Sequence, residues 1–258
     1  MTDMDLMAKA VDDAARNVTA IEQLSVGETF SLDEAYAIQE RSISYRLARG
    51  ESLVGIKVGF TSRAKMIQMN VSDLIWGRLT DAMQLEEGGD LDLSTCIHPR
   101  IEPEVAFLLK KPLSGNVTAP QAMAAVEAVA PAMEIIDSRY KNFQFSLEDV
   151  VADNSSSSGF VIGPWRHRDI EVGNLGMVME FNSRPVQIGS SAAILGHPVR
   201  SLVAAARLAA ASGLQLEPGW VIMAGAATAA EAITPATHVR TLVERLGSVA
   251  INVRANST

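Results

Sequence analysis

What the chain lacks narrows its class first. Its 258 residues include one cysteine, Cys96, so no disulfide can form within the chain, as expected of a protein kept in a reducing compartment. Cys96 itself reads as inert. Positive charge is in deficit: 22 Lys and Arg stand against 30 Asp and Glu, a formal net charge of −8, and no basic patch is visible. That balance argues against nucleic acid as a partner, because phosphate binding needs clustered cations. No apolar run approaches the roughly 20 residues needed to span a bilayer. The opening Met1-Thr2-Asp3-Met4-Asp5 is acidic where a signal peptide carries a positive flank. A cytoplasmic protein without membrane contact is the expectation. Repeats of about 20 to 50 residues are missing, as are glycine-rich phosphate loops of the GxGxxG or GxxxxGK type, which argues against nucleotide chemistry.

What is present suits a folded enzyme, with 48% hydrophobic and 20% charged residues. Apolar residues recur at helical spacing from Asp5 to about Leu24, and Ser31 with Glu34 forms a capping-box pattern that opens a second helix, ended by Gly50. From Leu53 the texture changes to short β-like runs broken by glycine, proline and acidic turns. The reading is a helical region over 1–52 and a main domain over 53–258. Predicted strands are Leu53–Phe60, Glu102–Leu109, Met133–Ser138, Gly159–Ile162, Val221–Ala224 and Val249–Val253, with a hairpin of Met177–Phe181 and Val186–Ile188 turning at Asn182-Ser183-Arg184. Predicted helices cover Ala119–Val129 and Val199–Ser212.

Two acidic segments and one lysine carry the chemical interest. In Arg100-Ile101-Glu102-Pro103-Glu104-Val105, two carboxylates two residues apart on a strand point to one face, which suits a shared cation. An exposed edge strand would show the same spacing. Ala132-Met133-Glu134-Ile135-Ile136-Asp137-Ser138-Arg139 sets further acids in an apolar run, where unpaired carboxylates are costly to bury. Glu134 and Asp137 have opposite strand parity, so one could join a metal while the other holds Arg139 or caps a loop. Carboxylate oxygens completed by water match Mg2+ or Mn2+. Lys57, inside Gly55-Ile56-Lys57-Val58-Gly59, needs an anionic partner if buried, or else lies along a sheet edge. The four histidines show no metal-ligand spacing. Ser155–Ser158, after Asp153-Asn154, suggest a structured polar loop.

Taken in order, Gly55-Ile56-Lys57-Val58-Gly59 with Thr61-Ser62, Pro99-Arg100-Ile101-Glu102-Pro103-Glu104, Glu134-Ile135-Ile136-Asp137-Ser138-Arg139 and Val151-Ala152-Asp153-Asn154 resemble the hydratase/decarboxylase branch of the fumarylacetoacetate-hydrolase superfamily. Gly189 to Pro198 and Gly247-Ser248-Val249 extend the match. The resemblance implies an α+β fold, a fumarylacetoacetase-like mixed β-roll core with a helical N-terminal region. It implies an Mg2+ or Mn2+ site at Glu102, Glu104 and Glu134, choosing Glu134 over Asp137, and substrate contact by Lys57. Ile75, Trp76, Arg139, Asn154 and Ser155 are the further substrate-binding candidates. It also implies a 2-oxo dicarboxylic acid substrate, a homo-oligomer and a possible complex with the hydratase of the same meta-cleavage pathway of aromatic degradation. Branch activities are decarboxylation of 4-oxalocrotonate and hydration of 2-hydroxypenta-2,4-dienoate. Leu74-Ile75-Trp76-Gly77 lacks the acid that hydratases carry in this segment, and Asp137-Ser138-Arg139-Tyr140-Lys141-Asn142-Phe143 and Leu195-Gly196-His197-Pro198 resemble decarboxylase versions. Decarboxylation is therefore the favoured expectation, ahead of hydration and of a non-catalytic partner subunit.

Overall fold

The computed structural model describes residues 3–62, 66 and 73–254, so Met1 and Thr2 of the acidic opening lie outside the described residues. Helices α1 (Asp3–Arg16), α2 (Leu24–Gly27) and α3 (Leu32–Ala48) come first. The single helix expected up to Leu24 is thus two, since α1 stops at Arg16 and Val18 takes a left-handed φ of 50°. The capping box forms as read: Ser31 Oγ accepts from the Glu34 N–H, and the Glu34 carboxylate accepts from the Ser31 N–H at 2.7 Å.

Strands β1 (Leu53–Gly59), β2 (Ile75–Thr80), β3 (Gln84–Leu85), β4 (Asp90–Asp92) and β5 (Arg100–Leu109) follow. Then come α4 (Ala119–Ala124), β6 (Val126–Ile136), α5 (Leu147–Ala152), β7 (Ser157–Ile162), β8 (Arg166–His167), β9 (Gly176–Phe181) and β10 (Arg184–Ser190). Helix α6 (Pro198–Ala211) precedes β11 (Val221–Met223), β12 (Glu231–Ala232), β13 (His238–Val243) and β14 (Gly247–Arg254). The expected helix over Ala119–Val129 is corrected: it ends at Ala124, and Val126–Val129 begin β6, because β5 offers a ladder partner for every one of those residues but one. Strand β6 also ends at Ile136, leaving Asp137 and Ser138 outside it. The hairpin turn is Asn182-Ser183, both at positive φ, with Arg184 already in β10.

Two mixed sheets make the body. One runs β2-β1-β11-β5-β6-β7-β3, with β12 on β5 and β8 on β6; the other runs β10-β9-β13-β14-β4. Period-two alternation decides how they pack. Ile101 of β5 and Met133 and Ile135 of β6 meet Met179, Val239, Val249 and Ile251 of the second sheet. Val105, Phe107 and Leu109 of β5 meet Leu202, Ala205, Ala206 and Ala209 of α6. The small alanine side chains let that helix lie close to the sheet. On the other face of this sheet Ala106 and Ala132 pack with Leu79, Phe160 and Met223, and Glu102, Glu104 and Glu134 lie beside Lys57. The N-terminal helices close over the margin of that face: Ala8, Ala35 and Ile38 pack with Ile75, Val150 and Val151. The buried Gln39 amide donates to the carbonyls of Trp76 and Val151 at 3.1 and 2.9 Å.

Candidate metal centre and active site

Glu102, Glu104 and Glu134 come together. Each offers one carboxylate oxygen within 4.8 Å of the other two, and all three residues are buried, at 6%, 0% and 1% exposure. Burial removes the edge-strand reading. Glu102 stands directly opposite Glu134 in the β5–β6 ladder, and Glu104 opposite Ala132. Like charges set directly opposite on adjacent strands repel, so this pairing asks for a cation.

Lys57 reaches the trio from β1. Its Nζ lies 3.1 Å from Glu134 Oε1 and donates to Oε2 at 3.3 Å, and the residue is 3% exposed. Among the described residues, Lys57 is the cation seen to pair with this cluster. Burial pushes the Glu104 carboxyl well above its usual 4.5, and the Glu134 charge adds to the rise. Burial raises Glu134 as well, with Lys57 opposing. The Gly225 N–H donates to Glu104 Oε2 at 2.7 Å, while Glu104 Oε1 has no hydrogen-bond partner among the described residues. Gly225 must be glycine to make that bond, since its φ is +103° and a Cβ would meet Thr61 at 2.3 Å. An orphaned carboxylate oxygen and three hard oxygen donors fit Mg2+ or Mn2+.

A cavity of about 270 Å3 opens over Lys57, Glu102 and Glu134, walled by Thr61, Ala227 and Thr228. A second of about 350 Å3 shares Lys57 and Glu102 and extends along Ile75, Phe143, Phe145 and Val150. Together they give a polar end and an apolar flank. Ile75 and Ser155 line the flank. Ile75 is apolar at the position where a hydratase acid was sought.

Three further sequence-predicted contacts, Trp76, Arg139 and Asn154, line neither of these two cavities. Trp76 has the opposite strand parity to Ile75; its ring stacks on Tyr36 at 5.6 Å, beneath the Arg78 guanidinium. Arg139 is 5% exposed and bound to the Asp153 carboxylate, with further bonds to the carbonyls of Asp137, Ser157 and Asp153. Burial pushes the Asp153 carboxyl up to about 6, against the pull of Arg139. Asp137, just past the end of β6, accepts from the N–H groups of Ile97 and His98 at 2.8 and 2.7 Å and so caps a loop. Asn154 bridges the N–H and C=O of Arg78 at 2.8 and 2.9 Å.

That bridge fastens a strained turn. Asn154, Ser155 and Ser156 all have positive φ, at 49°, 53° and 59°, and Ser155 Oγ donates to the Trp76 carbonyl at 2.9 Å. Left-handed non-glycine residues persist where surrounding bonds over-determine them, often beside a functional site. Ser156, next in line, sits on the cavity wall with its hydroxyl unpartnered among the described residues. Sequence reasoning missed Ser156, Arg100, Phe143 and Phe145 as lining residues. Only the low-complexity serine run hinted at the first.

No protein-family model matches the chain. By its fold and its relatives the chain belongs to the hydratase/decarboxylase branch of the fumarylacetoacetate-hydrolase superfamily. Within that branch it is 58% identical over 246 residues to 4-oxalocrotonate decarboxylase of a Pseudomonas species, covering 95% of this chain and 96% of that one. To 2-hydroxyhexa-2,4-dienoate hydratase of Comamonas testosteroni it is 34% identical over 227 residues, 86% of each chain. The structure of 4-oxalocrotonate decarboxylase from Pseudomonas putida G7, complexed with magnesium and adipate, superposes with a TM-score of 0.94 at 37% identity over 98% of both chains.

Proposed function

We propose that this chain is a metal-dependent carboxy-lyase that converts 4-oxalocrotonate, (3E)-2-oxohex-3-enedioate, to 2-hydroxypenta-2,4-dienoate and CO2 in the meta-cleavage breakdown of aromatic compounds. The observation that carries the reading is the convergence of Glu102, Glu104, Glu134 and Lys57, all buried, with Lys57, Glu102 and Glu134 lining one cavity. Glu102, Glu104 and Glu134 would hold Mg2+ or Mn2+. When bound, the metal supplies Lewis acidity toward the 2-oxo acid end of the substrate.

The chain's own residues then have defined tasks. In the reaction the C5–C6 bond breaks, CO2 leaves, and the electron pair moves through the conjugated carbons to the C2 oxygen. Lys57 donates to that oxygen as it gains charge, an interaction stronger in the transition state than in the substrate. Glu134, 3.1 Å from its Nζ, keeps the lysine aimed. Ile75, Phe143, Phe145 and Val150 pack the hydrocarbon middle of the substrate and exclude water. Ser155 and Ser156 edge the same wall.

Hydration of 2-hydroxypenta-2,4-dienoate is the second reading, supported by the hydratase relatives and opposed by Ile75, which has no proton to give. The two separate in parallel assays, one following loss of 4-oxalocrotonate absorbance with CO2 release, the other consumption of 2-hydroxypenta-2,4-dienoate. CO2 release alone supports decarboxylation; consumption of the dienoate alone overturns it; activity in neither marks a non-catalytic subunit.

The same proposal takes residues 1–52 as a helical region docked on a catalytic domain of residues 53–258, supported by the Gln39 bonds to Trp76 and Val151. A homo-oligomer is supported by Val186 and Ile188, exposed on the outer strand β10. Association with the pathway hydratase fits the chemistry, since one enzyme's product is the other's substrate. Cytoplasmic residence is supported by the free thiol of Cys96; no described helix is long and apolar enough to cross a membrane.

A further inference from the structure

The charged face of β5 does not end at the glutamates. Arg100, Glu102 and Glu104 occupy alternate positions, so the guanidinium of Arg100 leaves the strand on the same side as the carboxylates, and it lines the flank of the cavity with Lys57 and Glu102. Two residues along a strand advance about 6.7 Å, close to the end-to-end length of an extended six-carbon diacid.

Arg100 is also poised. Arg100 is exposed; its guanidinium lies 4.4 Å from the centre of the Phe143 ring, with no ion pair or hydrogen bond to a carboxylate among the described residues. Elsewhere in the described chain, guanidinium groups near carboxylates are paired, as in Arg49–Asp12, Arg207–Asp73 and Arg240–Glu180. The ring beneath Arg100 is held at a cost. Asn142 and Phe143 both take positive φ, 59° and 57°, uncommon for asparagine and an outlier for a bulky aromatic residue. Phe143 is further braced by His98 at 5.2 Å and Phe145 at 5.7 Å. A strained turn thus sets an aromatic platform under an arginine whose fork of donors has no anion.

We propose that Arg100, stacked on Phe143, is the specificity residue that takes the distal carboxylate of the six-carbon substrate and so selects dicarboxylic over monocarboxylic 2-oxo acids. The proposal rests on the reading of the site given above and adds a residue to it. A planar guanidinium forms two parallel bonds to a carboxylate, and stacking pre-orients it. The contact is made in the substrate and kept until the C5–C6 bond has broken, so it contributes equally to binding of substrate and transition state. It therefore sets affinity, and its loss on reaction favours release of the monocarboxylic product.

The test compares two ligands that differ only at the far end, 2-oxoadipate and 2-oxohexanoate, by calorimetry on the full-length, Mg2+-loaded protein. Wild type should prefer 2-oxoadipate, and Arg100→Met should lose roughly tenfold in affinity for it while 2-oxohexanoate binding stays the same. Arg100→Lys, which keeps the charge and loses the fork, should fall between. In turnover of 4-oxalocrotonate by Arg100→Met, the loss in kcat/KM should reside in KM. Equal weakening of both ligands, or unchanged 2-oxoadipate binding, overturns the proposal. If wild type releases no CO2 from 4-oxalocrotonate, the decarboxylation reading fails while the two-ligand comparison still decides the role of Arg100.

Discussion

Glu102 and Glu134 are direct cross-strand partners, two buried carboxylates facing each other across β5 and β6 with Lys57 bound to one of them. Sheets ordinarily avoid such a pair, since opposed like charges weaken the ladder. The folded chain tolerates it because the fold's remaining contacts outweigh it, and a divalent cation would turn repulsion into attraction. Stability and metal affinity are therefore opposed in the empty site.

Glu104→Gln makes that opposition measurable. The side chain keeps its shape but drops one charge from a group that burial already holds well above its usual range. The metal-free variant should melt above metal-free wild type at neutral pH, and Mg2+ should no longer raise its Tm. A variant that melts lower and still responds to Mg2+ would show that Glu104 is not a ligand.

The pH dependence follows from the same shifts. Glu104 and Glu134 have folded pKa values raised above 4.5. A raised carboxyl contributes stability that is full below its unfolded value and is lost as pH climbs through its folded value. Metal-free protein should thus lose stability from these groups as pH rises, while the metal displaces their protons. The gain in Tm on adding Mg2+ should grow as pH rises above the ordinary carboxylate range, and a gain independent of pH would contradict raised carboxyls in the empty site.

Lys57→Met should lower kcat by about 10²- to 10³-fold, the range seen when a single donor to a developing oxyanion is removed. Metal binding, read by calorimetry with Mn2+, should persist because the three carboxylates remain. Turnover at the wild-type rate would remove the lysine from the reaction.

Asp153→Ala separates structure from substrate contact. It leaves the Arg139 charge buried without its partner, which should cost about 3–5 kcal/mol of stability by denaturant unfolding. Among molecules that remain folded, KM should be near wild type, since neither Arg139 nor Asp153 lines the cavity. A selective rise in KM would restore Arg139 to the binding site.

Much of the site was legible because it depends on residue spacing. Alternate positions put Glu102 and Glu104 on one face, a relation the structure keeps; Asp137 lies just past the end of β6, apart from Glu134, and caps a loop. Whether those carboxylates were buried could not be read from the strand alone, since burial comes from strands far away in sequence. Arg100 was missed for a related reason: an arginine at the start of a strand looks like an ordinary polar rim until the Lys141–Phe143 turn brings a ring beneath it. Trp76 lies off the wall that Ile75 lines because neighbours in a strand point opposite ways. Val126–Val129 were read as helix because alanine and valine at mixed spacing suit either state, and only the pairing with β5 decides.

The central claim is that three glutamates hold the metal on which decarboxylation depends. Its most direct test is CO2 release from 4-oxalocrotonate by protein stripped with a chelator, before and after Mg2+ is restored. The account predicts no release from the stripped protein and recovery on adding Mg2+; full-rate release without metal would contradict it.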